Sequence, residues 1–234
     1  MQVIKFLLFI LVFILSSTVG TSQDKVKSFN FKKGEVIDFL FISTKTDDKA
    51  KETSDRYFAT AFPIARKEGY APQPGFSTPS TPTQGNYHPE VVALGKWPSI
   101  KGRLKALNDL ETQLEDFHEM RRTIWSNFDV TYYELMEDLN FEVAPEKHTV
   151  ITLYWAKEKG FDSFKSKWMQ QMKSANGKVL VDLGKGFSTY GYHFVPDMIS
   201  ITEWNSKEDF EKFNKLNMTM DHSSVLHVNQ MQIK

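Results

Sequence analysis

One stretch of this chain is written twice, in register, and that narrows the possible folds more than any other feature. Pro89-Glu90-Val91-Val92-Ala93-Leu94-Gly95-Lys96-Trp97-Pro98-Ser99 returns as Pro196-Asp197-Met198-Ile199-Ser200-Ile201-Thr202-Glu203-Trp204-Asn205-Ser206. The two copies are offset by 107 positions (196 − 89). In both, a proline and an acid precede a strand-forming run, and a Trp and a Ser follow it. Upstream, Gly75-Phe76-Ser77-Thr78 is matched by Gly186-Phe187-Ser188-Thr189, Tyr87-His88 by Tyr192-His193, and Val36-Ile37 by Val150-Ile151. The matches keep the same order in both halves, which marks a duplicated folding unit.

Each half reads as strand, helix, strand, strand, helix, strand. In the second, His148 to Ala156 is β-branched and aromatic, and Phe161, Phe164, Trp168 and Met172 follow at helical spacing. Asn176-Gly177 ends that helix, since both residue types tolerate the left-handed backbone found there. Lys178 to Leu183 and Met198 to Trp204 are the middle strands. Ser206 starts a helix with Asp209 three residues on and Phe210, Phe213 and Leu216 as its apolar face, and Val225 to Ile233 closes the unit. The first half follows the same order, with Tyr57, Ala61, Ile64 and Ala65 on its first helix and Val130 to Leu135 as its last strand. It adds a loop between Phe76 and Tyr87 that carries Pro79, Pro82 and Gly85, and an amphipathic helix through Leu110, Leu114, Phe117 and Ile124. The polar segment Glu137 to Lys147, with Pro145, reads as the linker. The organisation expected is a leader over 1–22, a first repeat over 30–142 and a second over 143–234.

A βαββαβ order is the split βαβ, or ferredoxin-like, unit, whose helices cover one face of its sheet. The other face must be buried elsewhere. Ile37, Phe39 and Phe41 make one strand face apolar, and Val36, Leu40 and Ile42 make most of the other so. Two such sheets tethered in one chain are each other's nearest cover. The repeated strand, Trp, Ser and Phe-rich helix, above all Glu203-Trp204-Asn205-Ser206-Lys207-Glu208-Asp209-Phe210, resembles the dimeric α/β-barrel superfamily, which includes antibiotic-biosynthesis-type monooxygenases and haem-degrading enzymes. The resemblance covers about residues 34 to 234. It implies an α+β fold in which two tandem ferredoxin-like βαββαβ repeats form an intramolecular dimeric α/β-barrel, a pseudo-dimer within one chain. That fold hosts oxygenases, isomerases and haem enzymes alike, so it assigns no reaction.

The N-terminus reads as a targeting segment. Lys5 precedes an unbroken apolar run from Phe6 to Leu15, which has the length of a signal-peptide core and is too short to span a bilayer. Small residues up to Gly20 and Ser22 supply cleavage sites, so export to a periplasm or the extracellular space is expected, with no stable membrane anchor afterwards. The chain has no cysteine, which excludes a lipid-modified cysteine, a disulfide, a thiolate nucleophile and a cysteine metal site. Lys and Arg balance Asp and Glu at 29 each, so no overall field draws nucleic acid, and none is expected as a partner. Asn217-Met218-Thr219 has the N-glycosylation pattern, which matters only in a eukaryotic secretory pathway.

The candidate site residues are few. His88 and His193 occupy equivalent places, each after a Tyr and before a core strand. Either they line two pocket mouths, where an imidazole is a competent base, or Tyr-His simply ends a hairpin. Asp38 shares a strand face with Val36, Leu40 and Ile42, where a carboxylate is costly unless paired or protonated. Its counterpart by the Val36-Val150 match is Thr152. Asp38, Thr152, Ser200, Thr202 and Gln230 would place polar groups inside an otherwise apolar barrel, with His88, Tyr192 and His193 at its mouth, as a ligand site requires. A salt-bridged structural aspartate is the other reading of Asp38. Trp97 and Trp204 close equivalent strands and read as packing. No HxH, HExxH or carboxylate cluster of ligand spacing occurs, so no metal is expected, and no phosphate loop or cofactor fingerprint points to a bound cofactor.

Two function classes fit. One is an exported small-molecule-binding or interaction protein of dimeric α/β-barrel type, with the loop Ser77 to Asn86 as a contact surface. The other is a cofactor-free monooxygenase or isomerase acting on a small, partly aromatic substrate, with Asp38 or His193 as the catalytic base. The leader carries its own test: N-terminal sequencing of secreted protein is expected to start after Gly20 or Ser22, and a mature chain that still begins at Met1 would rule the leader out.

Overall fold

The computed structural model describes residues 25–189 and 194–234. The leader over 1–22 and the Tyr192-His193 pair lie outside the described residues. The first half runs β1 (Lys27–Phe31), β2 (Val36–Thr44), α1 (Asp48–Lys67), β3 (Ala71–Ser77), β4 (Val91–Trp97), α2 (Ile100–Gln113), α3 (Phe117–Ile124), β5 (Trp125–Glu134). After β6 (Leu139–Val143) the second half runs β7 (His148–Ala156), α4 (Phe161–Ser174), β8 (Lys178–Leu183), β9 (Met198–Trp204), α5 (Lys207–Met218), β10 (Val225–Ile233). Two antiparallel four-stranded sheets result, ordered β3-β4-β2-β5 and β8-β9-β7-β10. The order is the same in both halves.

The repeated Trp and Ser explain how each half turns from strand to helix. Ser99 Oγ accepts the Gly102 N–H at 3.1 Å and Ser206 Oγ the Asp209 N–H at 3.2 Å, so each serine satisfies an otherwise orphaned first-turn donor. Trp97 and Trp204 are buried just before these caps. Asn176 adopts the left-handed backbone, φ 64°, that ends α4.

The main core lies between the two sheets. Ile37, Phe39 and Phe41 of β2 share one apolar cluster with Val92 and Leu94 of β4, Ile151 and Leu153 of β7, Ile199 and Ile201 of β9, and Met231 and Ile233 of β10. The opposite sheet faces pack on helices: Val150, Tyr154, Met198 and Trp204 against Phe164, Trp168, Met172, Phe210 and Phe213 in the second half. The segment expected as a linker instead contains β6, which pairs antiparallel with β1. This two-stranded ribbon sends Phe29, Phe31, Phe141 and Val143 into the core between the sheets. Its apolar residues alternate with polar ones, and a ribbon that short shows its pairing only once both strands are in place.

Two of the sequence matches do not hold in space. β2 pairs with β4 so that Val36 faces Trp97, and β7 with β9 so that His148 faces Trp204. Val36 therefore corresponds to His148, Asp38 to Val150, and Leu40 to Thr152. Phe76 faces Val92 whereas Leu183 faces Ile199, so Leu183, not Phe187, stands where Phe76 does. Phe187 lies past β8 and is 57% exposed.

The halves are tied at their sheet edges. Tyr132 of β5 and Phe187 exchange two backbone hydrogen bonds at 2.8 Å each. On the other side, Ser77 and Lys234 exchange two more, at 2.8 and 3.0 Å. The Pro-rich loop, expected as a contact surface, lies along β10: Thr83 N–H donates to the Gln230 carbonyl at 2.8 Å, and Asn229 clamps Tyr87 by accepting its N–H at 3.0 Å and donating to its carbonyl at 2.8 Å. Gly85 makes that approach possible, with φ at +78° and room for no Cβ, which would meet Asn229 Oδ1 at 2.4 Å and the Val228 carbonyl at 2.5 Å. Gly34 has a similar φ of +84° and open space around it. Gly34→Ala should therefore cost about 1 kcal/mol for backbone strain alone, and Gly85→Ala clearly more, about 2 kcal/mol or above. Calorimetric unfolding of both variants checks this, and equal losses would mean that the loop is not held against β10.

Candidate functional site

Three polar centres interrupt the apolar layers. The first surrounds Asp38, on the helix-covered face of β2 rather than between the sheets. Its two oxygens are taken: Arg103 Nε donates to Oδ1 at 2.7 Å and Trp97 Nε1 to Oδ2 at 2.9 Å. Asp38 and Arg103 are 4% and 6% exposed, so the pair is fully desolvated. The guanidinium lies 3.5 Å from the Tyr132 ring centroid and reaches Thr189 Oγ1 at 3.4 Å, which brings the second half into contact with the ion pair. In the second half Val150 replaces Asp38, and Trp204 Nε1 donates to Thr202 Oγ1 at 3.2 Å instead.

The second centre is at one end of the inter-sheet core. Tyr87 donates to Asp129 Oδ2 at 2.7 Å and accepts from Asn127 Nδ2 at 2.6 Å. Desolvation raises the pKa of both Tyr87 and Asp129, partly offset at Asp129 by its hydrogen bonds. Phe41 and Phe194 pack their rings beside Tyr87, and Trp155 packs on Phe194, with centroids 4.9 to 6.2 Å apart. His88, the neighbour of Tyr87, places Nε2 3.2 Å from the Thr78 carbonyl and braces the loop.

The third centre lies between the second sheet and its helices. Thr152, Ser200, Thr202 and Gln230 are all there, all under 2% exposed, and none faces the inter-sheet core. They are satisfied: Gln230 Nε2 donates to Thr152 Oγ1 at 3.1 Å, Ser200 to the Val181 carbonyl at 3.0 Å, and Thr202 to the Val150 carbonyl at 3.3 Å. Their neighbours are not. Tyr154 Oη, Trp168 Nε1, Gln171 Oε1, His222 Nε2 and both amide atoms of Asn217 are buried without a hydrogen-bond partner. Burial drives the Tyr154 hydroxyl pKa up, while the adjacent Asn217 amide and Trp168 indole pull it back without reaching hydrogen-bond geometry. His222 Nδ1 sits 2.8 Å from the Met220 carbonyl, which only accepts, so Nδ1 is the donor of that contact. Asn217 is 0% exposed, so its amide nitrogen is closed to glycan attachment.

Next to this layer is a cleft of about 430 Å³, lined by Lys159, Gly160, Phe164, Lys167, Gln171 and Ser224 among others. That volume is within the range that takes small ligands. Phe164 links the cleft to the orphaned atoms, with its ring 5.2 Å from that of Tyr154 and 5.1 Å from that of His222. Among the described residues no group of three His, Asp or Glu side chains is placed to hold a metal ion.

No protein-family model matches the sequence, and no curated protein matches it either. Among solved structures it is similar to an anthrone oxidase-like protein, at 12% identity over 88% of this chain and 94% of that one, with a TM-score of 0.49. A mutant chlorite dismutase from Candidatus Nitrospira defluvii is similar at 9% identity over 87% and 93%, with a TM-score of 0.49. A candidate monooxygenase from Fusobacterium nucleatum subsp. nucleatum is similar at 11% identity over 86% and 92%, with a TM-score of 0.44. The strand order of the two sheets and the core they share make this an α+β fold of ferredoxin-like type.

Asn217, Tyr154, Gln171, His222 and Ser224 were not legible as a group in the sequence. One signal was there: Asn217 continues the Phe210, Phe213 face of α5 at helical spacing and so places an amide where a core residue belongs. Arg103 was missed as the partner of Asp38 because nothing local in the sequence joins positions 65 residues apart. The pair sets a stability test. Asp38→Asn should cost about 3 to 5 kcal/mol by leaving the Arg103 charge buried and uncompensated, whereas the double variant Asp38→Leu with Arg103→Met should recover most of it. Denaturant unfolding decides, and a loss under about 1 kcal/mol for Asp38→Asn would show that the pair is solvated.

Proposed function

We propose that this chain is an exported small-molecule-binding protein, built as an intramolecular dimeric α/β-barrel of two tandem repeats. Its ligand enters the second half, through the cleft beside α4, toward the layer between sheet and helices. Export rests on Lys5, the apolar run that follows it and the small residues before Ser22. The repeat architecture rests on the shared strand order and on the edge-to-edge hydrogen bonds at Tyr132-Phe187 and Ser77-Lys234.

The observation that carries the binding reading is Asn217. Folded proteins pair nearly all their buried polar atoms, and an asparagine with neither amide atom paired within the protein calls for a further partner, an ordered water or a ligand. With Tyr154, Trp168, Gln171 and His222 beside it, the layer offers donors and acceptors to a ligand that has both. The space between the sheets is occupied by Phe29, Phe31, Phe39 and Phe41, and the cluster there includes one such atom among the described residues, Tyr133 Oη.

Asn217→Leu separates this reading from a merely structural asparagine. Without ligand, removal of two unpaired buried atoms should stabilise the protein by about 1 to 3 kcal/mol, read as a higher melting temperature. Native mass spectrometry of protein from its natural host should show a small-molecule adduct on the wild type that Asn217→Leu loses. A lower melting temperature for the variant together with no adduct on the wild type would overturn the proposal.

A further inference from the structure

We propose that His148 is an acid-sensitive latch between the second sheet and α5: neutral, it holds the first turn of the helix against β7, and protonated, it lets that end of the helix lift. The latch stands whether or not a ligand binds beneath the helix. His148 opens β7, lies opposite Trp204 of β9 and is 8% exposed. Its ring packs on that of Phe210 in the first turn of α5, with centroids 5.0 Å apart, and Phe210 in turn meets Trp204 edge-on at 5.7 Å. These three rings join the start of the helix to two strands of the sheet. His148 Nε2 is buried there without a hydrogen-bond partner in the protein. An imidazolium carries N–H on both ring nitrogens, so the charged form would bury a donor that nothing accepts. In the first half the same place, opposite Trp97, belongs to Val36, which takes up no proton.

The charges that act on the ring come from α5, as Lys207, Glu208 and Glu211, and from Lys234 just past β10, while β9 presents the neutral Trp204. The two lysines oppose a proton on His148 and the two glutamates favour one. Both glutamates have other partners: Glu211 lies 3.5 Å from Lys207 Nζ, and Glu208 turns to its own backbone N–H and to Ser206. Lys147, next to His148 in sequence, donates to Asn205 Oδ1 at 2.8 Å. The partial positive charge at the start of α5 also opposes the proton. Burial is the largest influence, and with Lys207 it holds the His148 imidazole below its ordinary pKa of about 6.5. A lifted helix therefore takes up the proton more readily than a docked one. The contact is at full strength above about pH 6.5 and weakens as pH falls from there toward the lower pKa of the docked state. Asn217 lies on the buried face of the same helix, about two turns further on. A helix that lifts at its first turn thus loosens over the layer that holds the unpaired polar atoms.

Two NMR measurements on the protein between about pH 7.5 and pH 5 test the latch: the titration of the His148 ring, and amide hydrogen-exchange protection corrected for the intrinsic rate at each pH. His148 should titrate below about 6.5. The amides of Glu211, Lys212 and Phe213, which bond the carbonyls of the first turn of α5, should lose about tenfold in protection as pH falls, while the amides of α4 keep theirs. In His148→Val, which copies Val36, the α5 amides should show no such loss. A His148 pKa at or above about 6.5, α5 protection that does not change with pH, an equal loss in α4 and α5, or the same α5 loss in His148→Val would each overturn the latch. The ring titration and the comparison of α4 with α5 are read on the unaltered chain, so they decide even where the variant folds poorly.

Discussion

Everything in this molecule follows from sheets that are apolar on both faces. Helices cover one face of each, and the remaining face has no cover except the other sheet. Ile37, Phe39 and Phe41 on one side and Ile151, Leu153, Ile199 and Ile201 on the other therefore meet in a single core. The tether between the halves keeps that association intramolecular, and the β1-β6 ribbon adds Phe29, Phe31 and Phe141 to it, with Phe29 and Phe141 stacked at 4.4 Å. Side chains that meet this way fill a core at close to crystal density.

The helix-covered faces are where the halves diverge, and they diverge in polar satisfaction. In the first half a full charge is buried and fully met: Asp38 is held by Arg103 and Trp97, and Arg103 reaches Thr189 across to the other half. Such a pair adds little net stability against an apolar alternative but severely penalises any arrangement that separates it. Its contact with the second half is the hydrogen bond that Arg103 donates to Thr189 Oγ1 at 3.4 Å. In the second half the corresponding strand position is Val150, the charge is gone, and the tryptophan turns to Thr202. The polar atoms there are neutral, and several are unpaired.

Local rules made much of this legible. Trp-x-Ser predicts the strand end and the cap that Ser99 and Ser206 form, and the two-faced apolar pattern of β2 predicts a second sheet above it. Register was harder. Val36-Ile37 resembles Val150-Ile151, yet the ladder places Val36 opposite Trp97 and His148 opposite Trp204, because a shift of two residues keeps the same side-chain face and leaves the hydrophobic pattern intact. That is why Asp38 was set against Thr152 when it stands against Val150. The polar candidates Thr152, Ser200, Thr202 and Gln230 were correctly read as buried, but periodicity says only that residues share a face and not which layer that face meets.

The cleft itself is explained by an insertion that the second half lacks. Between α2 and β5 the first half carries α3, whose Phe117, Met120 and Ile124 pack on Tyr57 and Ala61 of α1 and on Trp125. Between α5 and β10 the second half has only the short connection through Met220 and Ser224. α4 occupies the place of α1, so the surface that α3 seals in one half stays open in the other, and the cleft is lined by residues of α4 and of that short connection. Gln171 lines the cleft, while its Oε1 and the Nε2 of His222 are buried without a partner. Two sheets share one strand order, and the added helix packs on the first half while the cleft lies on the second.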